Sequence, residues 1–237
     1  MNTNTLVKRR NIHPTKSYPC RVPGYYLNFN CEGIAYLEPC FASIGRNPWV
    51  GSPSDLQLHG IIHEITHTEF KNIQKTEGGG GNPGVGYQPV EVDVIKYNGE
   101  QLKAITLIQL ERIQNFSALP SKRYIDIVVN GAKEFELDPE YIKYLESIES
   151  YQRPQSIVRI VWIFVIIGPY LLLVLLPVAL FHVFDRKLHS KNSPVSSSVW
   201  STRALYACAD FIYFMHQRLL RYVCGEGYGI IKKSSFK

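Results

Sequence analysis

The sequence predicts an α+β domain over residues 1–150, followed by an apolar helix and an amphipathic helix with a basic tail. Three observations carry this. Short strand-type runs alternate with turn signals through the first part of the chain. Asn98-Gly99 stands between two such runs, and both residues tolerate the positive φ that a tight hairpin turn requires. Residues 160–181 then run for 22 positions without a charge.

Taken in order, 25–29 (YYLNF), 41–44 (FASI), 58–65 (LHGIIHEI), 90–97 (VEVDVIKY) and 103–110 (KAITLIQL) read as strands, and 125–129 as a further one. Helical signals are fewer. Residues 68–76 suit one short helix, and 139–150 suit another, with Asp138 as N-cap and Pro139 at its first position. Residues 78–86 (GGGGNPGVG) are a loop. Hairpins outnumber βαβ units in this pattern, so the domain is mixed and largely antiparallel.

Beyond it, the uncharged run spans about 33 Å as a helix, close to the thickness of a hydrocarbon core. It is apolar all round. A transmembrane or re-entrant segment over 157–184 is therefore expected, with Gly168-Pro169 and Pro177 able to kink it. Arg153 and Arg159 precede the run's apolar body and Arg186, Lys187 and Lys191 follow it, so orientation stays open. Residues 191–198 are a linker. Residues 199–225 then read as an amphipathic helix, with a basic tail to 237. Its apolar side is Leu205, Cys208, Ile212, Met215, Leu219 and Tyr222, and Arg203, Asp210 and Gln217 lie on another. With Arg218, Arg221, Lys232 and Lys233 nearby, either an anionic lipid surface or another helix would cover it. The expectation is a membrane-associated chain whose folded domain is cytosolic.

Composition narrows function further. A net charge of +6 comes from dispersed basic residues without any nucleic-acid-binding motif, so no nucleic-acid partner is expected. Five cysteines, an odd number with no CxxC pair, point to reduced thiols rather than a disulfide framework. Residues 1–10 are polar and basic with no apolar h-region after them, so no signal peptide is visible.

His63-Glu64-Ile65-Thr66-His67 matches the H-E-x-x-H pattern of zinc peptidases, which requires both histidines on one helical face. A membrane-anchored zinc metallopeptidase is the rival reading. Its local sequence is wrong for a helix: a glycine-containing β-type run enters the motif, and Thr66 and Thr68 are residues that begin helices. On a strand, His59, His63 and His67 would share a face. No metal is expected.

From His59 to Tyr97 the chain resembles the γ-glutamylcyclotransferase family: a strand with glycine, a short helix, the pair Glu77-Gly78, a loop, and Tyr87 opening the next strand. Pro120-Ser121-Lys122-Arg123-Tyr124, Gly131-Ala132, Leu137 and Tyr141 are similar to a later family segment. Gly24-Tyr25 and Phe41-Ala42-Ser43-Ile44 are similar to its earlier strands. The resemblance covers about residues 15–150 and is nearest to a fungal branch found with pathways to sulfur-bridged dipeptide toxins. It implies a small mixed β-barrel with flanking helices and a lyase-type reaction. In that reaction the α-amine of a γ-glutamyl group attacks its own γ-carbonyl, and 5-oxoproline is released. It implies no cofactor, a small γ-glutamyl peptide or glutathione conjugate as substrate, Glu77 as the catalytic acid/base, and Tyr87 and Tyr124 as substrate-binding residues. Glu77 closes a short helix, where the negative end of the macrodipole opposes a carboxylate by about 0.3–1 kcal/mol and raises its pKa, which suits a proton shuttle. The family's Tyr-Gly-Ser-Asn loop has no counterpart in this sequence, and Met1-Asn2 is similar to the residues that follow it. The resemblance therefore leaves two readings open: a chain whose start is truncated, or a catalytically impaired, membrane-attached member of the family.

Overall fold

The computed structural model describes residues 5–46, 55–76, 87–109, 118–152 and 210–225, with isolated positions elsewhere. Six strands form two antiparallel sheets. β1 (Lys16–Val22), β4 (Leu58–Glu64), β5 (Tyr87–Lys96) and β6 (Gln101–Gln109) make one, in the order β4-β1-β5-β6. β2 (Tyr26–Ile34) and β3 (Glu38–Gly45) make the other. Helices α1 (His67–Thr76), α2 (Lys122–Glu134) and α3 (Pro139–Ser147) accompany them. The α+β class stands. The described strands form two sheets that meet where the Gln109 N–H donates to Ser43 Oγ at 3.4 Å.

Alternation shapes the larger sheet. On β5, Val92 and Val94 are buried while Glu91 and Asp93 face out, and Lys103 on β6 pairs with Glu91 at 2.6 Å on that outer face. The β5–β6 turn runs through Asn98-Gly99 as expected, with Gly99 at φ 91° and its N–H donated to the Lys96 carbonyl. One face of the sheet gathers Cys20, Val22, Val92 and Val94. On the other face, Ile61 and Tyr97 join the larger core with α2, α3 and the β2–β3 hairpin.

The predicted strand at 125–129 is instead part of α2. Ser121 caps that helix, accepting from the Tyr124 N–H, and Ile125, Val129 and Ala132 bury at helical spacing. The β-branched run misleads because tertiary burial overrides local propensity. The helix stops at Glu136, which takes φ 51°, and the Leu137 and Glu136 N–H groups return to the Ala132 and Lys133 carbonyls. Asp138 caps α3 with Pro139 inside it, as the sequence indicates. β1 went unpredicted because Pro19 interrupts its pattern.

The carboxyl-terminal helix corrects an expectation. Residues 210–215 are helical, His216–Leu220 widen into a π-helical turn, and Arg221–Cys224 return to α-helix. Ile212, His216, Leu220 and Cys224 are its buried line, whereas Leu219 and Tyr222 of the predicted apolar side are exposed. In an α-helix each four-residue step overshoots one turn by about 40°, and the wider π turn reduces that drift. This buried line belongs to the main core. It docks on the turn between β2 and β3. The Tyr36 N–H donates to the Gly227 carbonyl at 2.8 Å, the Tyr36 hydroxyl to the Gly225 carbonyl at 3.0 Å, and the Gly227 N–H to His216 Nε2 at 3.0 Å. A Cβ at Gly227 would lie 2.8 Å from the Tyr36 ring. A lipid surface therefore does not cover this line.

Most of 157–184 and all of the 191–198 linker lie outside the described residues. Among the described residues no helix is long and apolar enough to cross a membrane, so the expected transmembrane or re-entrant segment has no support from the structure.

Because Leu220 is fully buried in the main core, Leu220→Ala should cost about 2–5 kcal/mol. Urea unfolding of the full chain measures this. A cost below about 1 kcal/mol would show that the helix is peripheral to the fold.

Candidate active site

The site is organised around the backbone of one residue, Ala42. β2 and β3 pair in register as Asn28↔Ser43 and again as Cys31↔Phe41, so Phe29 and Asn30 together oppose Ala42. This is a β-bulge, which disrupts the ladder locally and bends the strand. Two tyrosine hydroxyls grip Ala42 at this point. The Ala42 N–H donates to Tyr124 Oη at 3.1 Å, and Tyr87 Oη donates to the Ala42 carbonyl at 2.8 Å. Cys31 Sγ lies 3.9 Å from the same carbonyl.

Each partner is positioned by its own element. Tyr124 sits in the first turn of α2, with its ring edge-on to Phe29 and Phe41 at centroid distances of 6.4 and 5.6 Å. Ser121, which caps that turn, donates to Glu38 Oε2 at 2.6 Å, and Arg123 Nε reaches Glu38 Oε1 at 2.8 Å. Glu38 at the start of β3 thus fastens the 120–124 segment to the strand that carries Ala42. Tyr87 opens β5 opposite Gln109 of β6. The Cys40 thiol donates to the Ala118 carbonyl at 3.3 Å, a further link between β3 and the approach to α2. Burial raises the pKa of Cys31 and of Cys40, and that of Cys20 to about 11, so these free thiols stay protonated.

Residues 57–145 match the AIG2-like family. Gamma-glutamyl cyclotransferase aclK of Aspergillus oryzae is 26% identical over 97% of this chain and 87% of its own length. Gamma-glutamyl cyclotransferase gliK of Claviceps purpurea is 29% identical over 66% of this chain and 69% of its own. The chain is thus similar to fungal proteins that carry the cyclotransferase name. Among solved structures, a gamma-glutamyl cyclotransferase (20% identity, TM-score 0.50) and an uncharacterized protein from Homo sapiens (21% identity, TM-score 0.51) share the fold. Each covers 65% of this chain and 88% of its own.

Three separated pieces of the family resemblance, 41–44, Tyr87 and 120–124, converge on Ala42. Glu77 and the glycine run 78–86 lie outside the described residues. In sequence, Glu77 follows the last residue of α1 and the run leads into Tyr87. Sequence reasoning singled out both tyrosines but missed the residue they share, and it missed Glu38. A charged residue at a strand start carries no signal until its partners are in place.

The zinc-peptidase alternative fails on geometry. His63 belongs to β4 and His67 opens α1, so the motif is split between strand and helix. Thr66 forms a capping box with Glu69: the Glu69 N–H donates to Thr66 Oγ1 at 3.2 Å and the Thr66 N–H to Glu69 Oε2 at 2.8 Å. His63 is turned to Ser17 Oγ, 2.8 Å from Nδ1, with Phe135 edge-on to its ring. His59 stacks on Tyr141 at 4.6 Å and pairs through Nδ1 with the Tyr97 hydroxyl at 2.5 Å. That hydroxyl also accepts from the Asp138 N–H. His67 is exposed on α1 and leaves the face that His59 and His63 share. Among the described residues no group of three or more His, Cys, Asp or Glu is placed to hold a metal ion.

Two predictions follow from these contacts. Tyr87→Phe and Tyr124→Phe each leave one part-buried Ala42 backbone group short of a partner and should each cost about 1 kcal/mol. The double variant should depart from additivity by more than about 0.5 kcal/mol, because the two hydroxyls bind the same residue. Denaturation midpoints in a double-mutant cycle test this. Separately, burial lowers the His63 pKa to about 4 from an ordinary 6.5. Between these values the unfolded chain binds the extra proton, so His63 makes stability fall as pH drops from about 6.5 to 4. His63→Gln should flatten that part of the pH–stability curve, and an unchanged slope would contradict the burial argument.

Proposed function

We propose that this chain is a γ-glutamyl cyclotransferase, releasing 5-oxoproline from a γ-glutamyl peptide such as glutathione or a glutathione conjugate. The observation that carries this reading is the convergence of residues 41–44, Tyr87 and 120–124 on the Ala42 backbone. Relatives bearing the cyclotransferase name support it, one of them along almost the whole chain.

Glu77 is the proton shuttle of this reading. Its carboxylate takes a proton from the substrate α-ammonium. The freed amine attacks the γ-carbonyl carbon, and the new C–N bond closes a five-membered lactam. Collapse of the tetrahedral intermediate breaks the original amide C–N bond; the leaving nitrogen receives a proton from Glu77, which then takes the second proton of the ring nitrogen and passes it to the released amine. Charges balance without redox change, and the step calls on neither cofactor nor metal. Tyr87 and Tyr124 act as substrate-binding residues by fixing the β3 backbone at Ala42, around which the pocket wall is set. Preorganised backbone of this kind lowers the cost of holding amine and carbonyl within attack distance.

Glu77→Gln keeps the side-chain shape and removes the proton acceptor. It should lower 5-oxoproline release by about 10²–10⁴-fold with unchanged far-ultraviolet circular dichroism. Retention of more than about a tenth of the rate, or no 5-oxoproline from the parent chain with any γ-glutamyl substrate, would overturn the reading.

A further inference from the structure

The turn between β2 and β3 has no slack. Among the described residues, positive φ outside glycine falls on Asn11, Glu136 and Tyr36. Asparagine tolerates that region and Glu136 closes α2, whereas Tyr36 holds φ 67° in mid-turn with an aromatic side chain. At the mouth of the same turn, a Cβ on Gly33 would collide with the Glu38 carbonyl oxygen and lie 2.9 Å from the Pro39 carbonyl carbon. The two strands meet there backbone to backbone. A conformation that glycine would adopt at less cost persists only where surrounding contacts over-determine it, and such positions cluster at functional sites.

The contacts that over-determine Tyr36 come from the far end of the chain. Its N–H and its hydroxyl donate to the Gly227 and Gly225 carbonyls, and its ring lies against the His216 imidazole at a centroid distance of 5.6 Å. Between Gly227 and the ring there is no room for a methyl group. On its other side the turn leads to the site within two residues. The Glu38 carboxylate holds Ser121 Oγ and Arg123 Nε, and the next residue, Tyr124, accepts from the Ala42 N–H. One line of contacts therefore runs from Gly227 through Tyr36 and Glu38 to Tyr124 and Ala42.

We propose that the carboxyl-terminal segment 210–227 is a positioning element of the candidate site, and that Tyr36 is the positioning residue through which it acts. By clamping the turn, the segment sets where Glu38 stands on β3. Glu38 in turn sets the first turn of α2 and, with it, the Tyr124 hydroxyl. The catalytic consequence rests on the cyclotransferase reading, whereas the coupling of Tyr36 to Ala42 does not.

Two readouts on the full chain test this: hydrogen exchange of the Ala42 amide, followed by NMR, and kcat for 5-oxoproline release from glutathione. Tyr36→Gly relaxes the backbone but removes ring and hydroxyl, and Gly227→Ala forces the ring from its place. Each should speed Ala42 exchange at least about tenfold relative to the β5–β6 ladder amides, because the opening is local. Each should also lower kcat about 10–100-fold, as misplacement far from the chemistry does. Tyr36→Phe loses only the hydroxyl bond, so both changes should shrink to about two- to tenfold, and it serves where the harsher variants do not fold. Leu219→Ala, exposed on the same helix, should leave both readouts within about twofold of the parent. Ala42 exchange that rises no more than that of the ladder would overturn the proposal, because the segment would then add only global stability. Faster Ala42 exchange with unchanged kcat in an active chain would overturn it equally. A parent chain that releases no 5-oxoproline refutes the cyclotransferase reading instead, and exchange alone then decides the coupling.

Discussion

The backbone of Ala42 is the constraint on which the site is built. Its N–H and carbonyl meet the hydroxyls of Tyr124 and Tyr87, residues 82 and 45 positions away in the chain. The bulge at Phe29-Asn30 lies directly opposite. Two elements, α2 and β5, are thereby fixed to one strand, and Glu38 repeats the fastening at the start of that strand. Leaving either Ala42 group without a partner would cost more than the hydrogen bond gains, so the arrangement is held by the penalty for its absence.

Much of the fold was legible wherever a local rule and the tertiary outcome coincide. Asn98-Gly99 makes its turn, Asp138-Pro139 begins its helix, and Thr66 begins another because the capping box satisfies donors that only a helix leaves open. Failures fall where the deciding partner is distant. At 125–129, β-branched residues suggest a strand, and what fixes the helix is burial against the hairpin and α3. Of the proposed site, Tyr87 and Tyr124 could be named from family resemblance, but a bulge opposite Ala42 leaves no mark in the letters Phe29-Asn30.

The carboxyl-terminal helix reads as amphipathic, and its apolar line is right at Ile212 and Met215 but leaves the buried side at Leu219 and Tyr222. A strict 3.6-residue period favours Met215, Leu219 and Tyr222 after Ile212, whereas the real line advances by four. A single π turn accounts for the discrepancy, and its cause lies outside the helix: His216 must face Tyr36 and accept from Gly227. The same partnership explains why a glycine stands at 227, so close to the tyrosine ring.

One attachment has a mechanical meaning. The Tyr151 N–H is bonded to the Pro120 carbonyl at 2.8 Å, and Tyr151 bridges Ser121, the residue that caps α2. The chain leaves the domain at that knot and returns to the core with the 210–225 helix. A pull on the departing chain meets the knot before any upstream part of the domain, and Tyr124 is only three residues from Ser121. The hand that holds Ala42 and the leash that leaves the domain therefore share a wrist, so tension on one is felt by the other.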